Sequence, residues 1–232
     1  HFRHAPEAWQ KPGGAGPVSA ADLEIDRMLR AELLAARPDY GWLSEETPDD
    51  AARLRHARVF VVDPLDGTSA FLAGEEGFSH ALSVIERGRV TAAAVLQPAR
   101  GRLYLAAEGA GAALNGTPLA VSLRAALDGA EVLAARPQLD PALWPGGVPP
   151  VRRSYRPSLA LRLCHVAEGR FDAMLTLRDT WEWDVAAGSL IVAEAGGRVS
   201  DRSGRMPCFN AATPQVAGFV AAGPAIHAAL MQ

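Results

Sequence analysis

Between Val59 and Phe71 the chain reads VFVVDPLDGTSAF, an apolar run that ends in two aspartates, Asp63 and Asp66, three positions apart. Carboxylates this close repel each other, and each loses much of its hydration when buried without a partner. A cation, a hydrogen-bonded turn, or both would make the crowding favourable. Val59 to Val62 has the composition of a central strand, so Asp63 is expected at its carboxyl end, where open α/β sheets keep their binding crevices. Pro64 fixes its own φ and biases Asp63 towards an extended conformation, and Gly67 permits a tight turn with close backbone approach. If Thr68 to Phe71 opens a helical turn, the amides of Gly67 and Thr68 can cradle an anion. One short stretch then offers carboxylates to a cation and amides to an anion, the layout of a metal-assisted phosphate site. The plainer alternative is that Asp63 and Asp66 only close an Asx-type turn.

Two further acidic features bear on that choice. Glu45-Glu46 stand in LSEET just ahead of the strand, and Asp184 stands in EWDVAAG. Alone, the first is a solvated turn and the second a helix N-cap. Together with Asp63 and Asp66 they form an all-oxygen donor set suited to Mg²⁺, a hard cation that prefers carboxylates and keeps several waters.

The elements that must position these groups are legible in outline. WQKPGGAGP reads as a mobile loop. Ser19, with Asp22 three residues on, has the form of a capping box, and Ile25, Met28, Leu29 and Leu33 follow at helical spacing up to Pro38. From His80 to Leu119 the pattern turns to strands, with a hairpin at Arg87-Gly88 and a turn at Asn115-Gly116. PALWPGGVPP is the strongest break, read as a long loop or the neighbourhood of a domain junction. Beyond it, SLALRLCHVAEG is a helix closing on Gly169 and FDAMLTL a strand. WDVAAGSLIVAEAGG is a helix capped by Asp184 and by Gly196-Gly197, GRVSD and VAGFVAAG are strands, and PAIHAALMQ is a last helix. An α+β part over residues 1–125 is expected to join an α/β part over 126–232 that completes the active site.

Composition narrows the classes. With 232 residues, 49% hydrophobic and 21% charged, the chain resembles an ordinary globular protein. A net charge of -3 supplies no basic stripe for nucleic acid, and no apolar run approaches the roughly 18 residues of a membrane span. Cys164 and Cys208 lack metal or disulfide spacing, so a reducing cytoplasm is the expected compartment. The chain opens at His1 rather than Met, so a preceding segment is expected.

DPLDGT and WDVAAGSLIVAEAGG, in that order, resemble the two signatures of the inositol monophosphatase superfamily, the Mg²⁺-dependent, lithium-sensitive phosphomonoesterases. LSEET stands where that family has Gly-Glu-Glu, and SAADLEIDRML is similar to its first-helix segment. The similarity runs from about Lys11 to the C-terminus. It implies a layered α/β/α/β/α sandwich, a further helix in the preceding segment, and two or three Mg²⁺ ions. Glu45, Asp63 and the carbonyl of Leu65 would hold one ion, and Asp63, Asp66 and Asp184 a second. Thr68, oriented by Asp22 and helped by Glu45, would position the attacking water, and Leu65, Asp66, Gly67, Thr68 and Asp184 would contact the substrate; Ser158 would line the pocket through its hydroxyl or amide, or cap a helix. Ser44 and Ala70 replace a customary Gly and Asn, neither of them a ligand. Lys11 matches a lysine of the family's metal loop or is simply solvated.

The implied substrate is a small phosphate ester, with no nucleic-acid or membrane partner and with a homodimer left open. Inositol-specific members carry a glutamate seven residues before the second-signature aspartate, where this chain has Leu177, which cannot accept that hydrogen bond. SLALRLCHVAEGRFDAMLTLRDTWEWD looks more like the 3'(2'),5'-bisphosphate nucleotidase branch of the CysQ type, so 3'-phosphoadenosine 5'-phosphate is the expected substrate. Arg156, Arg162 and Arg178 could meet its second phosphate or be surface arginines. His80 and His165 are read as structural, Trp181 and Trp183 as core packing that could also stack a base, and Glu182 as solvated. The rivals are an inositol or sugar phosphate substrate, a non-catalytic regulatory protein on the same fold and, with least support, a nucleic-acid module.

Overall fold

The computed structural model describes residues 2–4, 6–11, 13 and 16–232. The chain starts with a hairpin, β1 (Ala8–Gln10) against β2 (Pro17–Ser19), antiparallel. The described ends of the Gly/Pro-rich stretch expected to be a mobile loop are therefore paired, with Lys11 N–H donating to Gly16 O at 2.9 Å. Pro12, Gly14 and Ala15 of that stretch lie outside the described residues. The capping box forms: α1 (Ala20–Ala36) begins with Asp22 Oδ2 accepting from Ser19 N–H at 2.9 Å.

A seven-stranded sheet follows, in the order β3-β4-β5-β6-β7-β8-β9. Its strands are β3 (Gly41–Ser44), β4 (Arg58–Asp66), β5 (Ser79–Glu86), β6 (Arg89–Gln97), β7 (Arg102–Ala107), β8 (Gly111–Leu114) and β9 (Thr117–Pro118), with the short α2 (Thr68–Leu72) after β4. β3 and β4 are parallel and the remaining neighbours antiparallel. Strict alternation of burial along β5 shows why: a period of two gives the sheet one face towards the centre and one towards α1. β4 differs, being buried at every position after Arg58, as befits a strand covered on both sides. The turns at Arg87-Gly88 and Asn115-Gly116 all have positive φ, which matches the strand twist in two-residue hairpins.

The second sheet has five strands, β11-β10-β12-β16-β14, and is mixed. It comprises β10 (Glu131–Leu133), β11 (Arg152–Ser154), β12 (Ala173–Thr176), β14 (Arg198–Ser200) and β16 (Phe219–Ala222), with β13 (Thr180–Trp181) and β15 (Gln215–Val216) pairing separately. PALWPGGVPP falls inside the crossover from β10 to β11. Helices α3 (Leu159–Ala167) and α4 (Glu182–Glu194) pack on each other between the two sheets, while α5 (Pro224–Leu230) closes the far side. The order of layers is α1, sheet, α3 with α4, sheet, α5. One apolar core joins Val59, Val61 and Val95 of the first sheet through Leu163 and Ile191 to Phe219 of the second. Gly188 is needed for this, because a Cβ there would lie 2.4 Å from Leu163 Cδ1. Among the described residues no helix is long and apolar enough to cross a membrane.

Candidate active site

The site is built where β4 runs out. The β4–β5 ladder pairs Asp63 with Ala81 and next Asp66 with Ser79, so two residues bulge opposite one. A bulge re-aims side chains, and this one lets Asp63 and Asp66 line a common cavity. Asp63 Oδ1 accepts from Leu65 N–H at 3.0 Å, so the Asx-type turn is present as well. Gly67 then takes φ +95°, and a Cβ on it would lie 3.0 Å from Gly77 O, so the chain turns into α2 only with glycine there. Thr68 Oγ1 lies 2.9 Å from Asp22 Oδ1 and 3.0 Å from Leu65 O, its single proton serving both acceptors.

The cavity holds about 210 Å³, and Glu45, Asp63, Leu65, Asp66, Thr68 and Asp184 are among its walls, with Gly67 beside them. Residues more than a hundred positions apart thus meet at one cavity. Asp66 is also anchored from the C-terminal half: Ser158 Oγ donates to it at 2.5 Å, Ala160 N–H at 2.7 Å and Leu159 N–H at 3.2 Å. Asp184 Oδ2 accepts from Thr180 Oγ1 at 2.9 Å. Lys11 Nζ stands 2.7 Å from both Glu45 Oε1 and Glu46 Oε1.

Burial pushes the Asp63 carboxyl well above the usual range, and the charges of Glu45, Asp66 and Asp184 push further. Asp184 is raised to about 7 by burial and by Asp66 and Glu45. Asp66 is raised to about 6 by burial, against the opposing hydrogen bonds from Ser158, Ala160 and Leu159 and the charge of Arg162. These groups carry more negative charge than the protein compensates. An all-oxygen set with that deficit fits a hard divalent cation. As they stand, no three Asp, Glu, His or Cys side chains among the described residues close around one point. The reason is visible: Asp66 turns to the N-terminus of α3 and Glu45 to Lys11.

Several expectations need correction. Ser158 is fully buried, and its hydroxyl caps α3 by accepting from Leu161 N–H while donating to Asp66, so it supports a pocket residue instead of facing the substrate. Asp184 is not the N-cap of α4, which begins at Glu182 with Trp181 as its cap; Asp184 sits in the first turn. Glu182 is not solvated but 0% exposed, accepting from Asn210 N–H at 2.6 Å and Ala211 N–H at 2.9 Å. Arg162 is neither a surface residue nor free for a second phosphate: it is buried, with Nε donating to Arg156 O at 2.6 Å. Arg156 and Arg178 are exposed.

A model of the inositol monophosphatase family matches residues 3–232. The chain belongs to that family. It is 39% identical to an inositol-1-monophosphatase of Rhizobium meliloti over 202 residues, 83% of this chain and 74% of the relative. It is also 36% identical to the Nus factor SuhB of Xylella fastidiosa over 228 residues, 93% of this chain and 80% of the relative. Among solved structures, the Thermotoga maritima IMPase superposes with a TM-score of 0.83 at 30% identity, over 100% of this chain and 88% of the other. The layered fold read from the two signatures is the family's fold.

Sequence reasoning missed part of the cavity wall. Pro17, Tyr155 and Pro157 line the same cavity, yet none has a residue type that advertises chemistry. Tyr155 lies under the Arg162 guanidinium, 4.6 Å from its ring centroid, a contact that only the folded chain reveals.

Proposed function

We propose that the chain is a Mg²⁺-dependent phosphomonoesterase that hydrolyses a small phosphate ester with water. The observation that carries it is the convergence of Asp63, Asp66, Asp184 and Glu45 on one cavity beside Thr68. Glu45, Asp63 and the Leu65 carbonyl would hold one ion, and Asp63, Asp66 and Asp184 another. Bound Mg²⁺ would supply an acidified water and charge neutralisation on the phosphoryl oxygens. Asp22, fixed by Ser19, accepts from the Thr68 hydroxyl, so Thr68 is held where its oxygen can take a hydrogen bond from the attacking water. Asp22 is the ultimate acceptor for that proton chain. Gly67 and Thr68 present the turn's backbone to the phosphate. The burial of Asp63 strengthens its electrostatic interactions, because charges interact more strongly away from bulk water.

For the substrate, the relatives named inositol-1-monophosphatase support an inositol-1-phosphate-like monoester over the bisphosphate nucleotide. Commitment of Arg162 to backbone carbonyls weakens the case for a second phosphate site. Leu177 remains unable to accept a hydroxyl proton, so the sugar would be held less selectively than where a glutamate occupies that place. A phosphate-release panel with Mg²⁺ compares inositol 1-phosphate, 3'-phosphoadenosine 5'-phosphate and fructose 1,6-bisphosphate. Inositol 1-phosphate is expected to be cleaved fastest. Preference for the bisphosphate nucleotide would restore the nucleotidase assignment. Release from none of them would favour a second reading, a regulatory role of the kind named in the SuhB relatives.

A further inference from the structure

The bulge that aims Asp63 and Asp66 leaves a polar debt. Between the pairs Asp63–Ala81 and Asp66–Ser79, residues Pro64 and Leu65 stand opposite His80 alone, outside the regular ladder. Pro64 has no N–H to offer, and its carbonyl points at the His80 ring: Nδ1 lies 2.5 Å from Pro64 O. A carbonyl can only accept, so the proton sits on Nδ1. The ring is fixed from its other side by an edge contact with Phe78, at 6.3 Å between centroids and 70° between planes. His80 thus spans the gap in the ladder and ties the middle of the acidic turn to β5.

We infer that His80 is a positioning residue for the cation site, holding the Asp63-Pro64-Leu65-Asp66 bulge in the conformation that presents both carboxylates and the Leu65 carbonyl to one cavity. This rests on the reading of that turn as a metal site. Pro64 O belongs to the Pro64–Leu65 peptide unit, whose N–H donates to Asp63 Oδ1 at 3.0 Å, so losing the His80 bond leaves that unit held from the Asp63 side alone. Outer partners of ligating groups contribute about 10–100-fold to metal affinity, and one neutral bond at the backbone belongs at the lower end.

The test is Mg²⁺ titration calorimetry on the full chain, with thermal melts alongside. His80→Phe keeps the ring against Phe78 and removes the donor; His80→Asn keeps a side-chain N–H close to the Nδ1 position. The expected result is about tenfold weaker Mg²⁺ binding for H80F and affinity within about threefold of the unaltered protein for H80N. Unchanged affinity in H80F overturns the inference, and so does an equal tenfold loss in both, which would mean packing and not the donor. Should H80F not fold, H80N is compared with His80→Ala, and equal affinity of that pair overturns it. Asp63→Asn is the control. If D63N loses Mg²⁺ binding while H80F keeps it, this inference alone fails. If D63N binds like the unaltered protein, the metal site itself is wrong and this inference falls with it.

Discussion

Two clusters built around largely buried carboxylates, one around Glu168 and one of three aspartates, are shifted in opposite directions in this molecule. Glu168, at the end of α3, accepts from Tyr104 at 2.6 Å and from His165 at 3.0 Å, and is paired with Arg102. Burial alone would raise it, yet His165, Tyr104 and Arg102 together hold it down to about 2. Asp63 and Asp66 are buried as well, and burial drives Asp63, Asp66 and Asp184 up, with repulsion from neighbouring carboxylates adding to it at Asp63 and Asp184. The first cluster is electrostatically complete within the protein. The second is not, and the chain's one lysine, Lys11, serves Glu45 and Glu46 instead. A fold that stabilises one carboxylate with three partners and leaves three carboxylates short of cations is the pattern expected of the proposed cation site.

The sharpest way to break the comparison is to neutralise one member of each cluster. Asp63→Asn should lower phosphate release by at least about a thousandfold, the scale of losing a principal electrostatic group, without lowering the melting temperature of the metal-free protein. Steady-state assays and melts check it. Next in size, Thr68→Ala should lower kcat by about a hundredfold, as for loss of a proton-transfer partner, with Mg²⁺ affinity within about threefold by calorimetry. Equal loss of both would reassign Thr68 from water positioning to holding the turn. Glu168→Gln should do the reverse of D63N, costing roughly 1–3 kcal/mol of stability by denaturant unfolding while kcat of the folded enzyme stays within about twofold.

The sequence made the acidic turn legible because its chemistry is local: Asp, Pro, Asp, Gly and Thr each have a conformational reason to stand where they do. Helices α1, α3 and α5 and the hairpins were legible for the same reason, through caps, periodicity and paired turn residues. Failures occur where a distant group decides. Glu182 looks solvated until Asn210 and Ala211 turn their amides to it, and Ser158 looks like a pocket residue until Asp66 claims its hydroxyl. Asp184 carries the residue type of a cap but stands two positions beyond the first helical residue. The ribbon β1–β2 was hidden because Gly and Pro between its strands outweigh three short residues on either side. For Glu182 and Ser158 the missing information is a hydrogen bond to a residue 28 to 92 positions away, and for the ribbon it is a pairing too short for periodicity to register.

The most direct test of the central claim is the melting temperature of the protein followed from pH 5 to 8, in chelator and in Mg²⁺. Asp184 and Asp66 hold protons in the metal-free fold up to about 7 and about 6 but release them near the ordinary carboxylate value of 3.8 when unfolded. At these two groups the unfolded state therefore binds fewer protons across this window, and they make stability fall as pH rises, against a smaller opposing slope below about pH 6.5 from His80 and His227, whose burial lowers them. The account predicts a declining melting temperature in chelator, and in Mg²⁺ a line that is flat or rising, because the ion replaces the protons. A melting temperature independent of pH in chelator and unmoved by Mg²⁺ would show that the three aspartates are already compensated and would contradict the cation site.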